Sequence, residues 1–128
     1  MAINFDVLHV WEAGDDPVAL HWSIRKHVRH YYLKNISERR HLHVFSPGNV
    51  YSAAGDRTGL TPLFEGAVDY ADIMASIPAI TGAAVSLEWF SNDAFNILSR
   101  DCETLREHFG FEKPHQFRER GGFLQTAP

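Results

Sequence analysis

A single cysteine, two methionines and the lack of any long apolar run set the first limits on this 128-residue chain. Cys102 has no partner for an internal disulfide, so a reducing cytoplasmic setting is expected. No stretch approaches the roughly 20 apolar residues of a membrane helix, so no membrane association is expected. Residues 1–11 carry no basic segment ahead of an apolar one, and a secretory signal is therefore not expected. Basic charge is not in excess: 12 Lys and Arg face 16 Asp and Glu, and the net charge of −4 argues against a protein that coats DNA. The hydrophobic share of 45% is enough for one core, and residues 1–128 read as a single domain.

The pattern along the chain alternates between the strand and helix periods. Residues 3–12 alternate as a strand, with Ile3, Phe5, Val7, His9 and Trp11 on one face. A turn at 13–17 leads to a helix over 17–34, opened by Asp15 or Asp16 and Pro17, with Leu20, Ile24, Val28 and Tyr31 as its stripe. Residues 41–46 and 50–54 read as a hairpin around Pro47, Gly48 and Asn49. A helix from 61 to 77 places Leu63, Ala67, Tyr70, Met74 and Ile77 inward and stops at Pro78. Residues 85–89 alternate as a strand. A last helix over 93–109 has Phe95, Leu98, Cys102, Leu105 and Phe109 as its stripe, with Gly110 at its C′ position. Residues 111–128 read as an irregular C-terminal arm.

This order predicts an α+β fold: a ferredoxin-like β-α-β-β-α-β antiparallel sheet plus a C-terminal helix and arm, with an open mixed α/β sheet as the alternative. Both helices would cover one face. The other would show Asp6, Leu8, Val10, His41, His43, Phe45, Tyr51, Ser86, Glu88 and Phe90. That mixture calls for a cover: the arm, the last helix, a second copy or a ligand.

Two local patterns suggest chemistry. The segment 21–43 holds Arg25, Lys26, Arg29, Lys34, Arg39 and Arg40 against the lone acid Glu38, with five histidines besides. Arg25, Arg29 and Tyr32 fall together on the outer face of the expected first helix, one turn from Trp22. Such a surface suits an acidic protein partner, and nucleic acid is possible through the same segment. In His41-Leu42-His43 two imidazoles at i, i+2 on a strand point the same way, as a metal requires.

That fragment resembles the His-hydrophobic-His motif of the HUH endonucleases. The resemblance implies a divalent metal on His41 and His43, with Glu88 or Asp6 as a further ligand. It also implies Tyr70 as the nucleophile that cleaves single-stranded DNA. His27 and His30 are a second pair, three apart on the expected helix. The Gly55–Gly59 loop lacks a P-loop ending, and Cys102 and His108 point to different sides of their helix.

The preferred reading is a small non-catalytic, cofactor-free binding module that works by protein–protein contact as an inhibitor, immunity or regulatory protein. It would be homodimeric or bound to an acidic partner, using Trp22, Arg25, Arg29, Tyr32, Arg39 and Arg40. The metal-dependent nuclease is the first alternative. A small-ligand domain built on Phe45, Tyr51 and Phe90 is the second.

Overall fold

A computed structural model describes residues 1–76, 83–109, 114–118 and 123–126. β1 (Ile3–Asp6) runs into α1 (Val7–Glu12), followed by α2 (Pro17–Ile24), a 3-10 turn at Arg25–His27 and β2 (Val28–Leu33). The short β3 (Asn35–Ile36), a 3-10 segment at Arg39–Phe45, α3 (Pro47–Val50) and β4 (Leu60–Thr61) come next. α4 (Tyr70–Ser76), β5 (Ala84–Glu88), α5 (Ala94–Phe109), β6 (Pro114–Arg118) and β7 (Phe123–Thr126) complete the order.

The main sheet has the order β1-β2-β5-β7-β6, and β3 pairs with β4 in a separate antiparallel ribbon. β1, β2 and β5 are parallel, whereas β7 runs antiparallel to both β5 and β6. The ferredoxin-like antiparallel sheet is therefore incorrect. Parallel neighbours need a crossover of a dozen or more residues, and α1 with α2 supplies it between β1 and β2.

Two local choices decide this topology. The expected strand 3–12 stops at Asp6, whose carboxylate accepts from the His9 N–H at 3.3 Å and caps α1. Val7 and Leu8 are then both buried, which a helix turn permits and one face of a strand does not. Asp16 caps α2 through the Val18 and Ala19 N–H groups, and Pro17 takes the first turn, but the helix ends at Ile24, not at residue 34. Val28 to Leu33 is a β-branched and aromatic run that fits a pleated surface better than a helix. Val28, Tyr31 and Leu33 are buried as a result.

The expected hairpin at 41–54 is also absent. Residues 39–45 form the 3-10 segment, and the loop after α3 is held by side chains. Asn49 donates to the carbonyls of Val44 and Asp56, while Arg57 donates to those of Asn49 and Ser52. Gly59, at φ +90°, faces the His41 ring so closely that a Cβ there would lie 2.7 Å from it. The helix expected from residue 61 begins at Tyr70. The strand at 85–89 and the helix at 93–109 are present as Ala84–Glu88 and Ala94–Phe109. The stretch 111–128, expected to be irregular, contains β6 and β7. Ile77, Pro78 and Gly110 lie outside the described residues.

The core lies on one face of the parallel strands. Phe5, Tyr31, Leu33, Val85 and Leu87 meet Tyr70, Ile73 and Met74 of α4 and Leu98, Cys102 and Leu105 of α5. Burial pushes the Cys102 thiol up in pKa, as suits a core residue. No helix among the described residues is long and apolar enough to cross a membrane.

Candidate active site

In a parallel sheet, side chains at the carboxyl ends of neighbouring strands converge on one edge, where α/β folds bind ligands. Asp6 ends β1, Lys34 directly follows β2 and Glu88 ends β5. β2 pairs with both neighbours, with Asp6 opposite Tyr32 and Leu87 opposite Leu33. The three charged groups therefore meet. Lys34 Nζ donates to Asp6 Oδ2 at 2.7 Å and to Glu88 Oε2 at 3.1 Å. Lys34 is only 6% exposed. Burial alone would lower its pKa, but the Glu88 and Asp6 carboxylates outweigh that and hold the ammonium above its usual range.

The surroundings of this cluster divide into an aromatic wall, a rim histidine and a polar floor. Phe45 and Phe90 meet edge to face with centroids 5.7 Å apart. Lys34 Nζ lies 5.5 Å from the Phe45 centroid, and the Arg57 guanidinium lies 5.1 Å from that of Phe90. His9 places Nε2 3.6 Å from Asp6 Oδ2 and Nδ1 3.2 Å from Glu12. Deeper along the same strands, His30 Nε2 and Ser86 Oγ are 2.6 Å apart and the His30 ring stacks on Tyr32. Burial lowers the His30 pKa despite an opposing pull from Glu88.

The backbone under Lys34 is fixed from below. Tyr70 Oη donates to the Lys34 carbonyl at 2.6 Å and accepts from the Lys34 N–H at 3.3 Å. The neighbouring Asn35 is buried and fully engaged. Its Nδ2 donates to the Leu63 and Val68 carbonyls, and its Oδ1 accepts from the Val68 and Ile36 N–H groups. Gly66 packs against that amide, where a Cβ would come within 2.3 Å.

Asp101 of α5 is buried beside this floor and accepts from the Leu63 N–H at 2.9 Å. Burial pushes its pKa up to about 6. A folded-state value above the unfolded one gives a contribution that is fullest below pH 4 and lost as pH rises to about 6. Asp101→Asn keeps an oxygen for Leu63 without the charge. Its stability relative to wild type in urea should rise across that window, reaching a gain of about 3 kcal/mol at pH 7. A pH-independent difference would contradict the assignment.

The residues expected to bind a partner are scattered. Arg25 lies 4.5 Å over the Trp22 ring and donates to the Trp22 carbonyl. Arg29 donates to the carbonyls of Lys26 and Val28. Arg39 stacks 3.9 Å over Trp11 and donates to the carbonyls of Trp11 and Glu12, closing α1. Arg40 pairs with Glu38. Tyr32 lies on the sheet, stacked on His30, away from the face expected to join it to Arg25 and Arg29. Tyr51 is 89% exposed, apart from Phe45 and Phe90.

His41 and His43 occupy the 3-10 segment and not a strand, with ring centroids 6.5 Å apart and His43 paired to Asp56 at 2.8 Å. Tyr70 is buried under Lys34, where desolvation raises its pKa and makes it a poor nucleophile. Among the described residues, no three His, Cys, Asp or Glu side chains are grouped to hold a metal ion.

Lys34 escaped the sequence reading because it was counted within a solvated helix. The available signal was a charged residue at the end of each of three apolar runs: Asp6, Lys34 and Glu88.

No family model matches the chain. Over 105 residues it is 48% identical to a 3-dehydroshikimate dehydratase of Bacillus anthracis, covering 82% of this chain and 37% of that protein. A solved structure described as the probable 3-DHS dehydratase AsbF, involved in petrobactin synthesis in Bacillus anthracis, superposes with a TM-score of 0.77 at 47% identity. That match covers 84% of this chain and 39% of the other, so the chain spans well under half the length of the relatives it matches. These relatives carry the name of an enzyme. They overturn the non-catalytic regulatory binding module, together with its nuclease and ligand-module alternatives.

Proposed function

We propose that the chain supplies part of the active site of a dehydratase acting on 3-dehydroshikimate or a similar hydroxylated keto acid. The observation that carries this reading is the meeting of Asp6, Lys34 and Glu88 at the ends of three adjacent parallel strands. The likeness to a protein named for that activity supports it.

Removing water from a hydroxy ketone requires three things. A base takes the proton from the carbon beside the carbonyl, negative charge develops on the carbonyl oxygen, and an acid protonates the departing hydroxyl. The Lys34 ammonium is suited to the developing oxyanion and to an acidic substrate. Glu88, sharing that ammonium, is suited to take the proton. His9 borders Asp6 at the rim and is suited to protonate the departing hydroxyl, since imidazole transfers protons readily near neutral pH. Phe45 and Phe90 offer apolar faces to a six-membered ring.

The test is chromatographic loss of 3-dehydroshikimate on incubation with the purified protein. Wild type should consume it, and Glu88→Gln should slow consumption at least about 100-fold. A wild type that neither binds nor consumes 3-dehydroshikimate, or an undiminished Glu88→Gln variant, would contradict the reading.

A further inference from the structure

Directly behind the charged cluster is a small cavity bordered by Lys34, Asn35, Thr61, Glu88, Leu98 and Asp101, with room for about one water molecule. Two features of its wall call for an occupant. Thr61 Oγ1 is buried and has no hydrogen-bond partner, a costly state for a hydroxyl. Lys34 also has three ammonium protons, of which Asp6 and Glu88 take two. A water here has the polar partners that a buried water needs.

We propose that a buried water in this cavity links Thr61 and Asp101 to the Lys34–Glu88 pair, and that Asp101 is thereby a positioning residue of the site. The water accepts from Lys34 Nζ and the Thr61 hydroxyl and donates to the Asp101 and Glu88 carboxylates. Asp101 never touches the reacting molecule. It sets, through the water, how the ammonium is shared with Glu88.

The charged groups around Asp101 agree with a local effect. Arg100 is its neighbour on α5, Glu65 acts on it from the loop before α4, and Lys34 and Glu88 face it across the cavity. Arg100 and Glu65 pair with each other at 3.3 Å on the surface and offset one another. The Lys34–Glu88 pair and Asp101 border the same cavity, so the water between them is what would connect them. Ionisation of Asp101 adds a third negative charge to those of Asp6 and Glu88 around Lys34.

The consequence for catalysis rests on the dehydratase reading, whereas the link itself does not, and the experiment separates the two. At about pH 8, well above the Asp101 value of about 6, the Lys34 ammonium signal and the water cross-peaks at residue 61 are compared by NMR in wild type, Asp101→Asn, Thr61→Val and Thr61→Ser. Removing the Asp101 charge should move the Lys34 ammonium signal. Thr61→Val should abolish the long-lived water cross-peak at residue 61, and Thr61→Ser should keep it. In the activity assay, Asp101→Asn should shift the acidic limb of the kcat profile with KM unchanged. An unmoved Lys34 ammonium signal in a folded Asp101→Asn variant, or no long-lived water in wild type, would overturn the proposal. A moved signal in a protein that neither binds nor consumes 3-dehydroshikimate would sink the dehydratase reading and leave the link standing.

Discussion

Replacing Lys34 with methionine is expected to lower turnover of 3-dehydroshikimate by at least about 100-fold and to cost about 3 kcal/mol of stability. Both effects have one cause. Asp6 Oδ2 and Glu88 Oε2 lie within 2.7 and 3.1 Å of a single nitrogen, so its removal leaves two carboxylates confronting each other at a poorly solvated strand end. Methionine preserves most of the buried stem, which keeps lost packing small. Adding Glu88→Gln to Lys34→Met should restore part of the stability, because one of the two opposed charges is gone. It should restore no activity. The raised Lys34 pKa fixes the pH window: the contribution is complete below the ordinary lysine value of 10.5 and fades as pH rises beyond it. Urea denaturation at pH 7 together with the consumption assay checks all of this. A loss below about 0.5 kcal/mol would mark the cluster as a solvated surface ion pair.

The second large effect is expected at Asn35. Asn35→Ala removes one amide and takes away the side-chain partner of three backbone groups, the Leu63 carbonyl and the N–H groups of Val68 and Ile36, while the Val68 carbonyl keeps the Tyr70 N–H at 3.0 Å. At about 1 kcal/mol or more for each group left without a partner in the interior, the cost should be about 3 kcal/mol. Asn35→Asp should fare little better, since a carboxylate has no N–H for the two carbonyls. The loop carrying Leu63 and Val68 leads directly to Tyr70, which holds the Lys34 backbone. Hydrogen exchange at Val68 should therefore accelerate, and turnover should fall with it. Unchanged exchange at Val68 would show that the loop is held by other contacts.

Some of this molecule was legible from its residues. The Asp16–Pro17 helix start, the strand ending at Glu88 and the helix Ala94–Phe109 follow from caps and a clean period. The turn from strand to helix at Asp6 did not, because 3–12 alternates acceptably as a strand and only the Asp6 cap breaks it. The stripe Leu20, Ile24, Val28, Tyr31 is helical by spacing, yet its second half is built from residues that a sheet prefers. Tertiary pairing with β1 and β5 decided in favour of the sheet. Once that segment was drawn as a helix, the parallel topology and the place of Lys34 at a strand end were both hidden.

The site was visible in fragments. Glu88 or Asp6 enters only as an alternative metal ligand beside His41 and His43, implied by the endonuclease resemblance, and Phe45 and Phe90 as residues of one sheet face. In the structure both carboxylates instead hold the ammonium of Lys34. Arginines chosen for partner binding, Arg25, Arg29 and Arg39, are engaged with backbone carbonyls, which composition alone does not reveal.

The most direct measurement is an NMR titration of the protein with 3-dehydroshikimate, following backbone amides. Binding at the ends of the parallel strands should move the signals of Asp6, Lys34, Glu88, Phe45 and Phe90 together, and Lys34→Met should abolish those shifts. Shifts confined to Trp22, Arg25 and Arg29, or none at millimolar ligand, would contradict a substrate site built on Lys34.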